Sequence, residues 1–251
     1  MKYEGASAYE EKDFLANFLQ RRNRTESPNN SIEKPVIYEL LGAFQDHRIL
    51  DLGCGDALFG QELLQSGALY YHGVEGSEQM SKLASANLTD LKALITVTPM
   101  ETFDFPEEEY DIVVSRMAIH YLSEIDQLCR NVYKTLNVGG RFVFSVQHPL
   151  TTSSFISKKA GDKKSNWLVD DYFEEGERQE PWINKTVIKH HRTIESYFSA
   201  LTKAGFSVTG LQEGMPKQQY FKDEKEFIRR KRIPVILAFS CIKNKPTVFF
   251  T

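Results

Sequence analysis

The segment from Arg48 to Ala57, RILDLGCGDA, constrains the fold more than any other part of this chain. Its apolar run leads into two glycines, Gly53 and Gly55, which stand two residues apart. Glycine readily adopts positive φ and lets a backbone approach a ligand closely. The N-terminus of a helix after such a turn attracts anionic groups. The segment therefore predicts a strand, a ligand-binding turn and a helix, as in doubly wound α/β sheets.

The glycine spacing argues against a dinucleotide site. The fingerprint of such sites requires a third glycine three residues after the second, and Leu58 occupies that position. Glu75, about 20 residues beyond the turn, suits the two hydroxyls of a ribose, but NAD and S-adenosylmethionine share that sugar. A nicotinamide-dependent oxidoreductase therefore stays open as a weaker alternative.

Asp51, Gly53 and Gly55, with Ala57 at the place of a third glycine, resemble motif I of the class I S-adenosylmethionine-dependent methyltransferases. The strands expected in this family follow in order. They are predicted at residues 70–75, 94–97, 110–115 and 141–146, and a helix is predicted at 59–65. The resemblance covers about residues 40–150 well.

The resemblance implies an α/β fold with a doubly wound, mainly parallel seven-stranded sheet. We expect a single methyltransferase domain over residues 1–251, with an N-terminal helical lid, a cofactor-binding core and a cap inserted after strand five. The expected boundaries are 1–46 for the lid, 47–147 for the core, 148–190 for the cap and 191–251 for the last helix and a terminal strand hairpin. That helix is predicted at 191–205, and the hairpin strands at 206–211 and 234–242.

The implied cofactor is S-adenosyl-L-methionine. Pro99 stands where the family often has an acid for the adenine amino group, so we expect Glu101 or the Met100 backbone to take that part. The expected cofactor-binding residues are Asp51, Gly53, Cys54, Gly55, Glu75, Gly76, Ser77, Met80, Met100, Glu101, Ser115 and Arg116.

Methyl transfer from a sulfonium is an in-line displacement whose leaving group needs no proton, so alignment is its main requirement. A base helps only where the acceptor is a hydroxyl or an ammonium, and histidine suits that task. His148 is the first candidate because it ends strand five next to Pro149, at the sheet edge that binds ligands. His191 and His120 are the other catalytic candidates.

Two segments are candidates for acceptor binding. The polar connector around residues 21–30 carries Arg21 and Arg24, which can grip a carboxylate. The insertion after strand five carries Trp167 and Tyr172, and insertions of that length are often lids or binding loops.

Composition narrows the function classes. The net charge of −3 gives no global basic footprint, so we expect a small-molecule substrate and no nucleic acid. Three cysteines without CxxC spacing indicate neither disulfides nor zinc, and no metal is expected. The apolar runs are too short to span a bilayer, so we expect a cytoplasmic protein without a membrane partner. A noncatalytic cofactor-binding or regulatory protein of the same fold is the alternative from another class.

Overall fold

A seven-stranded sheet forms the centre of the molecule in the computed structural model, which describes residues 2–3, 5–156, 166–182 and 185–244. In chain order its strands are β2 (Arg48–Leu52), β3 (Tyr70–Glu75), β4 (Ala93–Val97), β5 (Tyr110–Arg116), β6 (Leu136–Gln147), β9 (Ser207–Gln212) and β10 (Ile236–Ile242). Their spatial order is β4-β3-β2-β5-β6-β10-β9. Only β10 runs antiparallel to its neighbours. The predicted mainly parallel, doubly wound sheet is confirmed.

Helices cover both faces of this sheet. The described helices are α1 (Lys12–Arg22), α2 (Lys34–Leu41), α3 (Leu58–Gln65), α4 (Glu78–Asn87), α5 (Asp126–Thr135), α6 (Pro149–Thr152), α7 (Ile194–Lys203) and α8 (Glu224–Arg230). Of these, α2, α3 and α4 cover one face of the sheet, and α5 and α7 cover the other. Consecutive strand residues point to opposite faces. Accordingly Leu50 packs in a cluster with residues of α5 and α7, whereas Ile49 packs in a second cluster with residues of α2, α3 and α4.

Two boundaries differ from the sequence prediction. Strand β6 starts at Leu136 and not at residue 141, because Tyr110 already pairs with Leu136. The register then shifts around Gly139 and Gly140, and Ile112 pairs with Arg141. Helix α7 starts at Ile194, since Thr193 is extended and its hydroxyl accepts the Ser196 N–H at 3.1 Å. His191 therefore ends a strand and does not begin the helix.

The expected cap contributes two strands to a second, three-stranded sheet that the sequence did not predict. Strands β7 (Gly176–Trp182) and β8 (Lys185–His191) form an antiparallel hairpin. Strand β1 (Lys2–Tyr3) adds to β8 in parallel. The chain start is thereby joined to the insertion that follows β6.

The N-terminal segment packs on this second sheet. A 3-10 helix (Gly5–Glu10) and α1 contribute Ala8 and Phe14, which are buried against Val187 of β8. After the connector, a π-helical turn (Asn29–Glu33) leads directly into α2. Among the described residues, no helix combines the length and apolarity needed to span a bilayer.

Candidate functional site

The glycine turn after β2 has a backbone that side chains would disturb. Gly53 and Gly55 have φ of +74° and +60°. The N–H groups of Gly53 and Cys54 both donate to the Val74 carbonyl of β3, at 2.8 and 3.1 Å. A Cβ atom at Gly53 would lie 2.6 Å from the Ala118 Cβ. The turn is therefore pinned to β3 and packed closely against the segment after β5.

Glu75 is held at the end of β3 by backbone amides. Its two carboxylate oxygens accept N–H groups from Gly55 at 2.8 Å and from Ser77 at 2.9 Å. Burial raises the pKa of Glu75, and these amide hydrogen bonds act in the opposite direction. Each oxygen keeps a second lone pair. The carboxylate is thus fixed in orientation and can still accept hydrogen bonds from two hydroxyl groups.

Asp51 presents an unsatisfied acceptor beside the turn. Its Oδ2 accepts the Tyr71 hydroxyl at 2.7 Å, whereas its Oδ1 is buried without a hydrogen-bond partner. Burial raises the pKa of Asp51 to about 6. A buried acceptor without a partner is costly, so this site favours a ligand that carries a hydrogen-bond donor.

A cavity of about 900 Å³, here called the first cavity, opens over the turn. Ten of the twelve predicted cofactor residues line it: Asp51, Gly53, Cys54, Gly55, Glu75, Gly76, Met80, Met100, Glu101 and Arg116. Pro99 also lies in its wall. The structure therefore brings these residues together at the carboxyl edge of the parallel strands.

Ser77 and Ser115 are the two predicted cofactor residues outside that wall. The Ser77 hydroxyl caps α4 by accepting the Met80 N–H at 3.2 Å. The Ser115 hydroxyl is fully buried and donates to the Leu52 carbonyl at 2.7 Å, which ties β5 to β2. Both hydroxyls are engaged in the scaffold that shapes the cavity.

The surroundings of Cys54 and Arg116 limit what these two residues of the wall can do. Burial raises the pKa of the Cys54 thiol well above its usual range, so the thiol stays protonated. Arg116 forms a bidentate ion pair with the fully buried Glu33 and lies over the Phe59 ring at 4.2 Å.

The three histidine candidates have different surroundings. His120, in a 3-10 helix (Ile119–Tyr121), lines the first cavity, and its buried Nδ1 has no hydrogen-bond partner. Burial and the nearby Lys189 charge lower the pKa of His120 well below its usual value, so the ring is neutral. It is the only one of the three candidates that lines the first cavity.

His148 and His191 lie outside the wall of that cavity, and both rings are engaged. His148 accepts the Leu150 N–H through Nδ1 at 3.2 Å, and its Nε2 lies 3.0 Å from Glu213. His191 bonds Thr152 at 2.7 Å and the Tyr172 carbonyl at 2.9 Å. The structure does not bring either ring to the glycine turn.

Four aromatic side chains of the first cavity pack in one cluster, and the part of the wall that they form is here called the aromatic end. Tyr9, Phe18, Tyr121 and Trp182 come from the N-terminal segment, the loop after β5 and the β7–β8 hairpin. The Tyr9 and Tyr121 hydroxyls lie 3.5 Å apart. This end is apolar, and the N-terminal segment closes it over the turn.

The predicted acceptor residues lie elsewhere. Arg21, Arg24 and Trp167 line a second cavity, which adjoins the first. Tyr172 lines neither cavity, because its hydroxyl accepts the Ile194 N–H at 3.4 Å and its ring meets His191 edge-on.

The arginine that reaches the turn is Arg22. Its Nη1 lies 2.9 Å from the Asp56 carboxylate, and it lines both cavities. The sequence spacing indicates that Arg22 lies on the helix face of Phe14 and Phe18, because these residues are four positions apart. Glu33, the partner of Arg116, had no comparable signal.

The residues in the first cavity fit the implied cofactor. A Gly53 without room for a side chain, a carboxylate fixed by two amides and the orphaned Asp51 oxygen match a ligand with a ribose and an ammonium group. Within the described ranges, no group of His, Cys, Asp or Glu could hold a metal ion.

Known proteins share this sequence and fold. Residues 50–144 match a family described as "Methyltransferase domain". A solved S-adenosylmethionine-dependent methyltransferase from Mesorhizobium loti has a TM-score of 0.77 and 30% identity, over 84% of this chain and 97% of that one.

Two further relatives span most of the chain. A solved structure from Listeria monocytogenes, described as a candidate S-adenosylmethionine-dependent methyltransferase, has a TM-score of 0.78 and 30% identity over 85% of this chain and 97% of that one. An uncharacterized protein of Haemophilus influenzae is 28% identical over 244 residues, which are 92% of this chain and 96% of that protein.

Proposed function

The chain belongs to the class I S-adenosylmethionine-dependent methyltransferases, and from this premise we propose that it methylates a small-molecule acceptor bound at the aromatic end of the first cavity. One observation carries the proposal. The glycine turn, Glu75 and the aromatic residues Tyr9 and Trp182 line a single cavity of about 900 Å³. That volume lies at the upper end of the range of small-molecule sites.

The cofactor would occupy the end of the cavity at the turn. Gly53 and Gly55 would receive its methionine part, and the Asp51 Oδ1 would accept a hydrogen bond from the ammonium group. The amide-fixed Glu75 would accept the two ribose hydroxyls. Met80 and Met100 would pack on the adenine, and the lining carboxylate of Glu101 lies within the same wall.

When bound, S-adenosylmethionine supplies a methyl group on a positively charged sulfur. The residues around it then have to hold an acceptor in line and exclude water, which is the main way a protein accelerates such a displacement. Tyr9 and Phe18 contribute apolar surface from the N-terminal segment, and Trp182 contributes it from the hairpin. These elements would position the acceptor against the bound cofactor.

His120 would take a proton from an acceptor that carries one. Its ring is neutral and lines the first cavity, and its Nδ1 has no hydrogen-bond partner among the described residues. His148, the first candidate from the sequence, would instead brace α6 through its bond to Leu150. We therefore assign the role of general base to His120.

Methyl transfer to a metabolite panel tests the function. Binding of S-adenosylhomocysteine is first measured by calorimetry, with NAD as the negative control. Transfer of labelled methyl groups is then measured with metabolites that differ in charge and size. We expect micromolar cofactor binding and turnover of a small acceptor. Cofactor binding with transfer only to a protein or a nucleic acid would contradict the proposal.

A further inference from the structure

A second cavity of about 830 Å³ lies beside the first one. Its wall is formed by the connector after α1, by α8 and by the start of β10. The two parts of the chain are joined there, because the Glu26 carboxylate accepts the Lys222 N–H at 2.6 Å. This hydrogen bond holds the connector and the segment before α8 together at the cavity wall.

Positive charge dominates this second cavity. Its described wall contains Arg22 and Glu180, which are paired with Asp56 and Lys189. The other ionisable side chains of the wall are five cations, Arg21, Arg24, Lys222, Arg229 and Arg230, and three carboxylates, Glu26, Asp223 and Glu226. Five positive against three negative charges leave a surplus of two positive charges.

Two arginines of α8 share one carboxylate, and the charge of Arg24 also acts on Arg230. Glu226 accepts hydrogen bonds from Arg229 at 3.0 Å and from Arg230 at 2.8 Å, and its side chain is 9% exposed. Burial and the neighbouring charge of Arg229 lower the pKa of Arg230, and Arg24 acts in the same direction. A single carboxylate therefore does not neutralise the cluster.

The cluster also keeps unused hydrogen-bond donors. Arg230 uses its Nε for Glu226, and Arg24 uses its Nε for the Arg21 carbonyl at 3.2 Å. Among the described residues, the terminal nitrogens of Arg24 and Arg230 have no protein partner. Guanidinium groups with free N–H pairs bind planar or tetrahedral oxyanions through two hydrogen bonds.

The second cavity adjoins the proposed acceptor site. Phe18, Arg22, Asn29, Met117 and Trp182 line both cavities. Apolar residues also face the second cavity, among them Phe155 and Ile236. A ligand held by the arginines would therefore extend over an apolar surface toward the aromatic end of the first cavity.

We propose that the second cavity binds the phosphate monoester group of the methyl acceptor through Arg24, Arg229 and Arg230. The inference rests on the proposed methyl transfer and names the class of its acceptor. A phosphate monoester carries between −1.5 and −2 charges at neutral pH, which matches the surplus of two positive charges. A carboxylate would neutralise only half of it.

Tryptophan fluorescence tests the anion site directly. Both tryptophans of the chain, Trp167 and Trp182, line the second cavity. Phenyl phosphate is titrated into the protein saturated with S-adenosylhomocysteine, with phenylacetate as the carboxylate probe and with potassium chloride at matched ionic strength. We expect a saturable change with phenyl phosphate, at least tenfold weaker binding of phenylacetate, and no saturable change with chloride.

Matched variants locate the response. Arg230→Gln and Arg24→Gln should each weaken phenyl phosphate binding at least tenfold. Lys225→Gln should leave it unchanged, because Lys225 is an exposed cation on the same helix that lines neither cavity. Having both arginine variants, from separate elements, keeps the test decisive if one of them fails to fold. Equal binding by wild type and both arginine variants, or tighter binding of the carboxylate, would overturn the assignment.

The acceptor class is tested with pairs of metabolites that differ only by the phosphate. We expect the phosphorylated member to be methylated with at least tenfold higher kcat/KM, and Arg230→Gln to abolish that difference through KM. Equal turnover of both members would overturn this inference and leave the proposed methyl transfer standing. Failure of S-adenosylhomocysteine to bind would instead be a failure of the proposed function.

Discussion

At the scale of single residues, substitution of Gly53 and of Gly139 by alanine distinguishes two effects. One is the strain of a positive φ, and the other is the collision of a Cβ atom with a neighbouring side chain. Both have positive φ, +74° and +84°, but a Cβ would collide with Ala118 only at Gly53. We expect Gly139→Ala to cost about 1–2 kcal/mol of stability and to spare cofactor binding. Gly53→Ala should also weaken S-adenosylhomocysteine binding at least tenfold in calorimetry. Wild-type affinity in a folded Gly53→Ala protein would contradict the role of the turn.

Asp51 makes a prediction about pH. Burial raises the pKa of its carboxyl to about 6, although Tyr71 and Arg116 act in the opposite direction. An ammonium group binds the ionised form, so cofactor affinity should be constant above about pH 6 and decrease as the pH falls through that value. Calorimetry from pH 5 to pH 8 measures this step. The raised pKa of Glu75 adds to any loss at low pH.

The variant Asp51→Asn distinguishes the effect of Asp51 titration on cofactor binding from that of Glu75 titration. The variant cannot titrate at this position, so its weaker binding of S-adenosylhomocysteine should lack the step near pH 6. A wild-type affinity that does not change between pH 5 and pH 8 would count against Asp51 as the acceptor. Retention of the same step in Asp51→Asn would assign it to Glu75.

His120 and His148 make opposite predictions for the same substitution. His120→Ala removes a cavity-lining ring and should lower kcat about 10²–10⁴-fold if the acceptor carries a proton. His148→Ala removes buried hydrogen bonds to Leu150 and Glu213, so it should lower the melting temperature and retain kcat where the protein is folded. Rates and thermal unfolding measured on both variants check this. The reverse pattern would restore His148 as the base.

At the scale of elements, β8 carries two lysines whose ion pairs differ in burial. Lys189 is paired with Glu180, and both are almost fully buried, whereas Lys185 and Glu11 are partly exposed and 2.9 Å apart. Lys189→Met should cost ~3–5 kcal/mol, since it leaves a buried carboxylate without this cation. Lys185→Met should cost less than about 1 kcal/mol. Denaturation in urea measures both, and equal costs would contradict the prediction.

The elements of the core could be predicted because their signals are local. Alternating apolar residues and the glycine turn are sufficient to place β2, α3 and Glu75. The β7–β8 hairpin was not predicted, because β7, GERQEPW, is mostly polar and lacks alternating apolar residues. The pairing of β1 with β8 joins residues more than 180 positions apart, which no local pattern indicates. His148 was judged by its position at a strand end, and that position does not determine which way a ring points. Arg22 was detectable by helical spacing, but Arg21 and Arg24 were chosen from the composition of the connector.

At the scale of the whole molecule, some regions form the wall of the first cavity and others lie far from it. The N-terminal segment contributes Tyr9 and Arg22 to its wall, and the β7–β8 hairpin contributes Trp182 and Ile188. Strand β9, at the far edge of the central sheet, contributes no residue to that wall. We therefore expect a ligand bound in the cavity to oppose local opening of the N-terminal segment and the hairpin, but not local opening of β9.

Amide hydrogen exchange distinguishes these regions. When the S-adenosylhomocysteine concentration is 100 times its dissociation constant, binding should raise the free energy of local opening by up to ~2.7 kcal/mol in residues 5–22, 176–182 and 185–191. Amide exchange in these residues should slow accordingly. Exchange through local fraying of β9 should not change, because that opening leaves the ligand bound. Gly53→Ala at the same ligand concentration provides the control, and we expect it to show little slowing anywhere. Uniform protection of β9 and the lid would show that ligand binding is coupled only to global unfolding, and the N-terminal segment would then not act as a lid.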